Sequence, residues 1–369
     1  MKIKTITCHE VYNHGASLQE YALLTYLEEQ GHTAETIHYK PDFLSNHFKL
    51  WTVGNPRFSK NFVFRFIYIT LKLPQRLVNL RRKKQFDLFS QRHIKATTKL
   101  YKTNEDLKKD LPEADAYICG SDQIWNSFFE NGKDPAFYLD FVPDTKMKLS
   151  YAASFAIDEL AEDIKPFVKE KVGRLDHISV RESSGKKILE ELGFTNAHQV
   201  LDPVFLLEPS SYTKLEDNSV EKNNYVFVYD FDSNPLIQQM AEQLKKEYGW
   251  DIITVNELIT YADKNYFLKG PDKFLSLIKN ASFVISNSFH AVAFSIIFQK
   301  DFVVFNRSYK INTRMRDMLG SIGLEHLLIL NEEMVQNHQI NTINFPKAQE
   351  KLEVLIHSSK AYLNNALQQ

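Results

Sequence analysis

The chain has 369 residues, more than one ordinary core accommodates, so two domains are expected. With 43% hydrophobic and 25% charged residues and a formal net charge of -1, it reads as a globular protein whose bulk charge selects neither nucleic acid nor membrane. Two cysteines, Cys8 and Cys119, exclude a disulfide framework and fit a cytoplasmic setting, and no run approaches the ~18 apolar residues of a membrane-spanning helix.

In chain order, Ile3 to Cys8 reads as a first strand, too short and too polar at its end for a signal peptide. A loop over Glu10 to Gly15 leads to helical spacing from Ser17 to Gly31, with Leu18, Tyr21, Ala22, Leu24 and Leu27 on one side. Ala34 to Tyr39 is the next strand, and the set opens a Rossmann-like unit. Residues 57–109 differ: Lys and Arg number 15 against 3 Asp and Glu, interleaved with Phe62, Phe64, Phe66, Ile67 and Leu71. This predicts a helical insertion, about 45–112, with a basic face that is either solvated or set against anionic lipid headgroups. No nucleic-acid-binding motif accompanies the charge.

Short apolar strands recur at Asp115 to Gly120, Lys148 to Ser154, Ile178 to Arg181 and Gln199 to Asp202, and Cys119 reads as a buried thiol. The polar stretch Glu208 to Asn224 reads as a linker. A second α/β set follows, with strands at Tyr225 to Tyr229, Asp251 to Val255, Phe283 to Ser286 and Phe302 to Phe305. Helices are expected at Pro235 to Tyr248, Pro271 to Lys279, Ala291 to Phe298 and Pro346 to Ala366. The expected organisation is an N-terminal Rossmann-like domain over 1–210, a second over 223–345 and a C-terminal helix over 346–369. Together they make an α/β, GT-B-like pair of sheets facing across a cleft.

Four strand-end loops carry groups suited to chemistry. Asn13-His14-Gly15-Ala16-Ser17-Leu18-Gln19 enters a helix, where backbone N–H groups meet an anion or hydroxyl-rich ligand, or where Ser17 acts only as a cap. Gly120-Ser121-Asp122-Gln123-Ile124-Trp125-Asn126 offers a carboxylate, amides and an aromatic face, the groups that hold a sugar. Arg181, at a strand end, carries a planar fork that matches phosphate or carboxylate, or else pairs with Glu182 at the surface. His290, in the first turn of a helix after Ser286-Asn287-Ser288, is a candidate acid or base. Asp202, before Pro203, reads as a turn or cleft-shaping residue. His9, His14, His32 and His38 lack ligand spacing, and no metal is expected.

In this order these loops, with Ser150-Tyr151-Ala152-Ala153-Ser154-Phe155, Leu201-Asp202-Pro203 and Gly270-Pro271-Asp272-Lys273-Phe274-Leu275, resemble the polysaccharide pyruvyl transferase family from residue 1 to about 328. The resemblance implies a GT-B-like fold and, as in the family's ketal pyruvyltransferases, transfer of an enolpyruvyl unit from phosphoenolpyruvate to a sugar diol. It places Arg181 and His290 among donor-binding or catalytic groups. The acceptor implied is a sugar of a surface polysaccharide or its lipid-linked precursor, met in the cytoplasm or at the inner membrane face. No cofactor is implied, phosphoenolpyruvate being a substrate.

On this reading His290, Arg181 and Asp122 are the catalytic candidates, and Ser288, Asn287 and Arg314 join Arg181 and His290 at the donor. Asn13, Ser17, Gln19, Asp122, Gln123 and Trp125 are the acceptor candidates. The chain departs from the family pattern at Ser288, where many members carry Arg, and at His14, Ala156, Asn287 and Ala291. A replacement donor cation is expected among Arg307, Arg314 and Arg316. A nucleotide-sugar-dependent glycosyltransferase of the same fold, and a non-catalytic member of a polysaccharide assembly complex, are the competing readings.

Overall fold

The computed structural model describes residues 1–44, 62–217, 219, 221, 223–257, 259–307, 313–340 and 342–368. Short runs buried on both faces, such as Tyr225–Tyr229 and Phe302–Phe305, form central parallel strands, as continuous apolar runs do when helices cover both sides. Strands β1 (Lys2–Ile6), β2 (Thr33–Thr36), β3 (Ala116–Cys119) and β4 (Met147–Ser150) make a parallel sheet in the order β2-β1-β3-β4. β5 (Ser179–Val180) and β6 (His198–Gln199) pair beside it, joined to the sheet by bridges at Leu149–His177 and Ala153–Val180.

The second parallel sheet holds β7 (Tyr225–Tyr229), β8 (Asp251–Thr254), β9 (Lys264–Asn265), β10 (Phe283–Ser286), β11 (Phe302–Phe305) and β12 (Leu328–Ile329). Their order is β12-β11-β10-β7-β8-β9. The helices that shape the cleft are α1 (His14–Glu29), α2 (Phe62–His93), α3 (Pro271–Lys279), α4 (Phe289–Ile297), α5 (Thr313–Ile322) and α6 (Phe345–Leu367). Two parallel α/β sheets opening on one cleft, with a terminal helix, are the GT-B-like architecture expected from the sequence. That helix runs back onto the first half: Tyr362 donates to the Ser150 carbonyl at 3.0 Å, and the Ser359 hydroxyl accepts from Leu201 N at 2.9 Å.

Three sequence expectations change. α1 starts three residues before Ser17, because the Asn13 side chain caps it, accepting from Gly15 N at 3.0 Å and Ala16 N at 3.2 Å. Ser17 is therefore a helix-interior residue and not the cap. α1 also lacks a wet side over most of its length, since it lies between the first sheet and α3 and α4 of the second half. One hydrophobic cluster accordingly runs from Leu18 and Leu23 across to Phe274, Ala291 and Phe294. Finally, the polar 208–224 stretch sends Tyr212 and Leu215 into that cluster.

Candidate active site

The carboxyl ends of both sheets open on one cavity of about 410 Å³. Asn13 reaches it from the turn after β1, and Asp122 and Gln123 from the turn after β3. The second half contributes Asn287, Ser288 and His290 after β10, Arg307 after β11, and Arg314 from α5.

His290 sits in the first turn of α4, where the cap residue Ser288 makes no side-chain hydrogen bond to the helix. The first-turn N–H groups thus keep their capacity for an anion. The imidazole is wedged against α1: a Cβ added at Gly15 would stand 2.1 Å from His290 Nδ1, so only glycine permits this approach of the two helices.

Beyond the ring lies Asp202. Its Oδ1 accepts from Val204 N at 3.1 Å, the turn role expected of it, but Oδ2 accepts from Arg181 Nη1 and stands 3.6 Å from His290 Nε2. Burial alone would raise the Asp202 pKa; Arg181 first and His290 second outweigh it and hold the carboxyl well below the usual range. One buried carboxylate therefore joins a guanidinium from the first half to an imidazole from the second.

Arg181 and Arg314 both stack on Phe289, their guanidinium carbons 4.8 Å and 5.7 Å from the ring centroid. Burial, and then repulsion from Arg181, brings the Arg314 pKa down to about 10, which leaves it charged at neutral pH. Around this ring, Nε and Nη2 of Arg181, Nε of Arg314 and Nε2 of His290 are buried without a hydrogen-bond partner among the described residues. Buried donors left unmet cost about 1–3 kcal/mol each, more when charged, so their concentration here marks a place built for an anion.

Beside this cavity lies a second, of about 380 Å³, which shares Val11, Asn13 and Phe231 with it and continues past Asn79, Arg82, Asn256 and Glu257. Its polar groups are largely engaged already. Arg82 donates to the Phe267 carbonyl at 2.5 Å and to the Tyr12 carbonyl at 3.4 Å, and Asn256 Oδ1 accepts from Asp230 N at 2.8 Å. Behind Arg82 and 3.4 Å from it, His14 is fully buried and stacked on Phe274 with centroids 4.9 Å apart. Burial, and then the charge of Arg82, holds its pKa well below the ordinary value, so it is neutral.

Residues 13–309 match the sequence model of the family described as polysaccharide pyruvyl transferase. The chain belongs to the polysaccharide pyruvyl transferase family. It is accordingly a transferase enzyme of polysaccharide modification. No curated protein matches the chain. Among solved structures, the UDP-N-acetylglucosamine 2-epimerase of Rickettsia bellii is similar at 13% identity and a TM-score of 0.51, covering 100% of this chain and 96% of that one. That likeness is one of fold. The Neisseria meningitidis UDP-GlcNAc 2-epimerase bound to UDP-GlcNAc gives 10% identity and a TM-score of 0.47, over 99% of this chain and 94% of that one.

In this pyruvyl transferase family member, Asp122, Gln123, Asn13, Ser288, Asn287, His290 and Arg314 all line the larger cavity. Arg181 does not; it lines a smaller neighbour of about 150 Å³ on the other side of Phe289 and Arg314. Of the three replacement cations, Arg307 and Arg314 reach the larger cavity, while Arg316 is exposed and faces Asp158 at 3.4 Å. Asn287 spends both ends of its amide on the fold, accepting from Phe231 N at 3.0 Å and donating to Asp230 at 2.7 Å.

Three acceptor candidates are corrected. Trp125 is fully buried, stacked on Tyr138 at 5.3 Å with its indole N–H on the Phe137 carbonyl, and has no face left for a sugar. Gln19 is also fully buried, donating to Thr7 and the Ala16 carbonyl and accepting from Ser121 N at 3.3 Å; it braces the Gly120 loop. Ser17 is buried in α1 and lines neither of the two larger cleft cavities.

Sequence spacing also missed a cluster: His9, Glu10 and His38 bring ligand-type atoms within 4.8 Å of one another. Glu10 already holds Lys40 at 2.6 Å, and His9 is held by the buried Glu20 at 2.7 Å, so charges of the chain itself complete this network. Ala156, where family members commonly have Gly, adopts φ +55, the left-handed region that explains the family's preference.

Proposed function

We propose that this enzyme transfers the enolpyruvyl group of phosphoenolpyruvate to a sugar diol, forming a cyclic pyruvate ketal and releasing phosphate. The reading rests on one observation above all: buried, unmet cationic donors of Arg181, Arg314 and His290 gather around Phe289 where the two sheets meet. Phosphoenolpyruvate carries a phosphate and a carboxylate, and cations with uncapped helix N–H groups suit both.

In the proposed reaction Arg314 and the first turn of α4 take the donor's anionic groups. His290, which lines the cavity, gives a proton to the methylene carbon while its Nε2 stays turned to Asp202. A sugar hydroxyl oxygen then bonds to the neighbouring carbon, and its proton passes to Asp122. Cleavage of the carbon–oxygen bond to phosphate leaves an oxocarbenium-like centre, the proton held by Asp122 leaving with the phosphate, and the second hydroxyl closes the ring as its proton returns to His290. Electrons and atoms balance with inorganic phosphate as the sole leaving group. Asp202 touches no reactant in this scheme; it orients His290, as Arg181 orients Asp202. The acceptor, on a surface polysaccharide or its lipid-linked precursor, takes the second cavity, with Asn13 at the junction.

The test is phosphate release from phosphoenolpyruvate in the presence of free or lipid-linked β-galactosides. Release that requires the acceptor is the expected result. A thermal shift with UDP-, GDP- or CMP-sugars, with none from phosphoenolpyruvate, would favour a glycosyltransferase instead.

A further inference from the structure

Helix α2 is two helices in behaviour. Its second half is anchored: Arg82, Phe86, Phe89 and Ser90 are buried, and Phe86 lies 4.9 Å from His14 at the cleft wall. Its first half is exposed. Phe62 is 83% exposed, Leu71 76%, Phe66 64% and Val63 60%, and no residue from Phe62 to Gln75 is buried. Monomeric proteins rarely leave so contiguous an apolar surface bare without a use for it.

The sequence of this half is patterned. At 100° per residue, Phe66, Val63, Ile67, Val78 and Leu71 fall on one face about 140° wide, and Arg65 and Lys72, seven residues apart, fall opposite. The whole helix has eight Lys or Arg against one acid, Asp87, and that acid is held by Lys83 at 2.5 Å. No helix among the described residues is long and apolar enough to cross a membrane. A broad apolar face, a basic stripe and no spanning segment are the requirements of a helix lying in a bilayer interface.

We propose that the first half of α2 docks this protein on an anionic membrane surface, its apolar side chains entering the headgroup boundary and its basic ones meeting lipid phosphates. Charge decides among occupants. A second copy would bring another strongly basic helix against the first, with no acid to pair. Nucleic acid would use the basic stripe and leave the apolar one bare. An anionic bilayer satisfies both stripes at once.

The geometry has a consequence for the reaction. α2 runs on from the segment that docks, through Pro74, to Arg82 at the wall of the second cavity. On the proposed function, this sets the acceptor cavity near the membrane, where a lipid-linked sugar is presented.

Flotation of the full-length protein with vesicles tests the docking alone, without reference to catalysis. Binding is expected to phosphatidylcholine vesicles doped with about one third phosphatidylglycerol, weakening about tenfold or more as salt rises from low to several hundred millimolar. The double change Phe66→Glu/Leu71→Glu should lower partitioning at least about tenfold, and Arg65→Ala/Lys72→Ala should lower it on anionic vesicles only. Val354→Glu, an exposed apolar site on α6, should leave it unchanged. Circular dichroism confirms that each variant is folded. No flotation at low ionic strength overturns the proposal, as does flotation indifferent to Phe66→Glu/Leu71→Glu. Concentration-dependent dimerisation lost in that same variant, without vesicle binding, overturns it in favour of a self-interface. Salt-sensitive binding to RNA in place of vesicles overturns it in favour of nucleic acid. Because phosphate release from soluble acceptors is measured separately, failure of docking and failure of the proposed chemistry are distinguishable.

Discussion

Two neighbouring cavities share Asn13 and Phe231, yet their polar groups are in opposite states. Around Phe289, Nε and Nη2 of Arg181, Nε of Arg314 and Nε2 of His290 have no hydrogen-bond partner among the described residues. In the adjoining cavity Arg82 is spent on two carbonyls and Asn256 on a backbone N–H. Each cavity also has a histidine at or behind its wall. His290 lines the first and sets Nε2 3.6 Å from a buried carboxylate; His14, behind the second, is packed among rings beside an arginine and is held neutral. The contrast teaches that a guanidinium or an imidazole near a cleft says little. What matters is whether its donors are already consumed by the fold.

The comparison breaks most visibly at the histidines. His290→Ala should lower turnover by about 10²–10⁴-fold while the protein stays folded, read as phosphate release with matched circular dichroism. Near-wild-type turnover would remove the proton-transfer role. Next comes the carboxylate. Asp202→Asn keeps the shape but leaves Arg181 buried without its counter-charge, and denaturant unfolding should show a loss of about 3–5 kcal/mol. A loss under about 1 kcal/mol would show that Asp202 is not the buried counter-charge of Arg181 described here.

Gly15→Ala sharpens the picture further. The added Cβ displaces the imidazole or parts α1 from α4, and turnover should fall by about 10²-fold with little change in the donor's Kd. A variant with unchanged kcat would show that His290 position is not critical.

The smallest effect concerns His14. Its folded pKa lies below the unfolded value, so the unfolded state binds the extra proton: stability is level above about 6.5 and falls as the pH drops below it. His14→Phe should remove up to about 1.4 kcal/mol per pH unit of that acid slope, measured as urea unfolding between neutral pH and about pH 5. An unchanged slope would mean that His14 charges in the folded protein.

Much of the fold was legible because the parallel strands announce themselves. Runs such as YVFVY and FVVF are buried on both faces, and the proline-started helices begin where that residue predicts. The site was legible only in part. Gly120 to Asn126 looked like a sugar-binding loop, but Tyr138 and Phe155 cover Trp125, and neither could be placed against it by spacing. Arg82 stood in a run of four basic residues and read as solvated or lipid-facing. It is buried because the carbonyls of Tyr12 and Phe267, far apart in sequence, converge on it. Asp202 read as a turn residue, which it is through Oδ1. Its partnership with Arg181 and His290 through Oδ2 exists only once two separate sheets are assembled. Residues whose role comes from the other half of the molecule leave no local signal.

The most direct measurement is a crystal soaked with phosphoenolpyruvate. The account predicts the donor in the 410 Å³ cavity, with an anionic oxygen within hydrogen-bond distance of Arg314 and of the first turn of α4, and the methylene carbon against the His290 ring. Phosphoenolpyruvate bound only against Arg82 in the second cavity, or with its methylene carbon out of reach of His290, would contradict it.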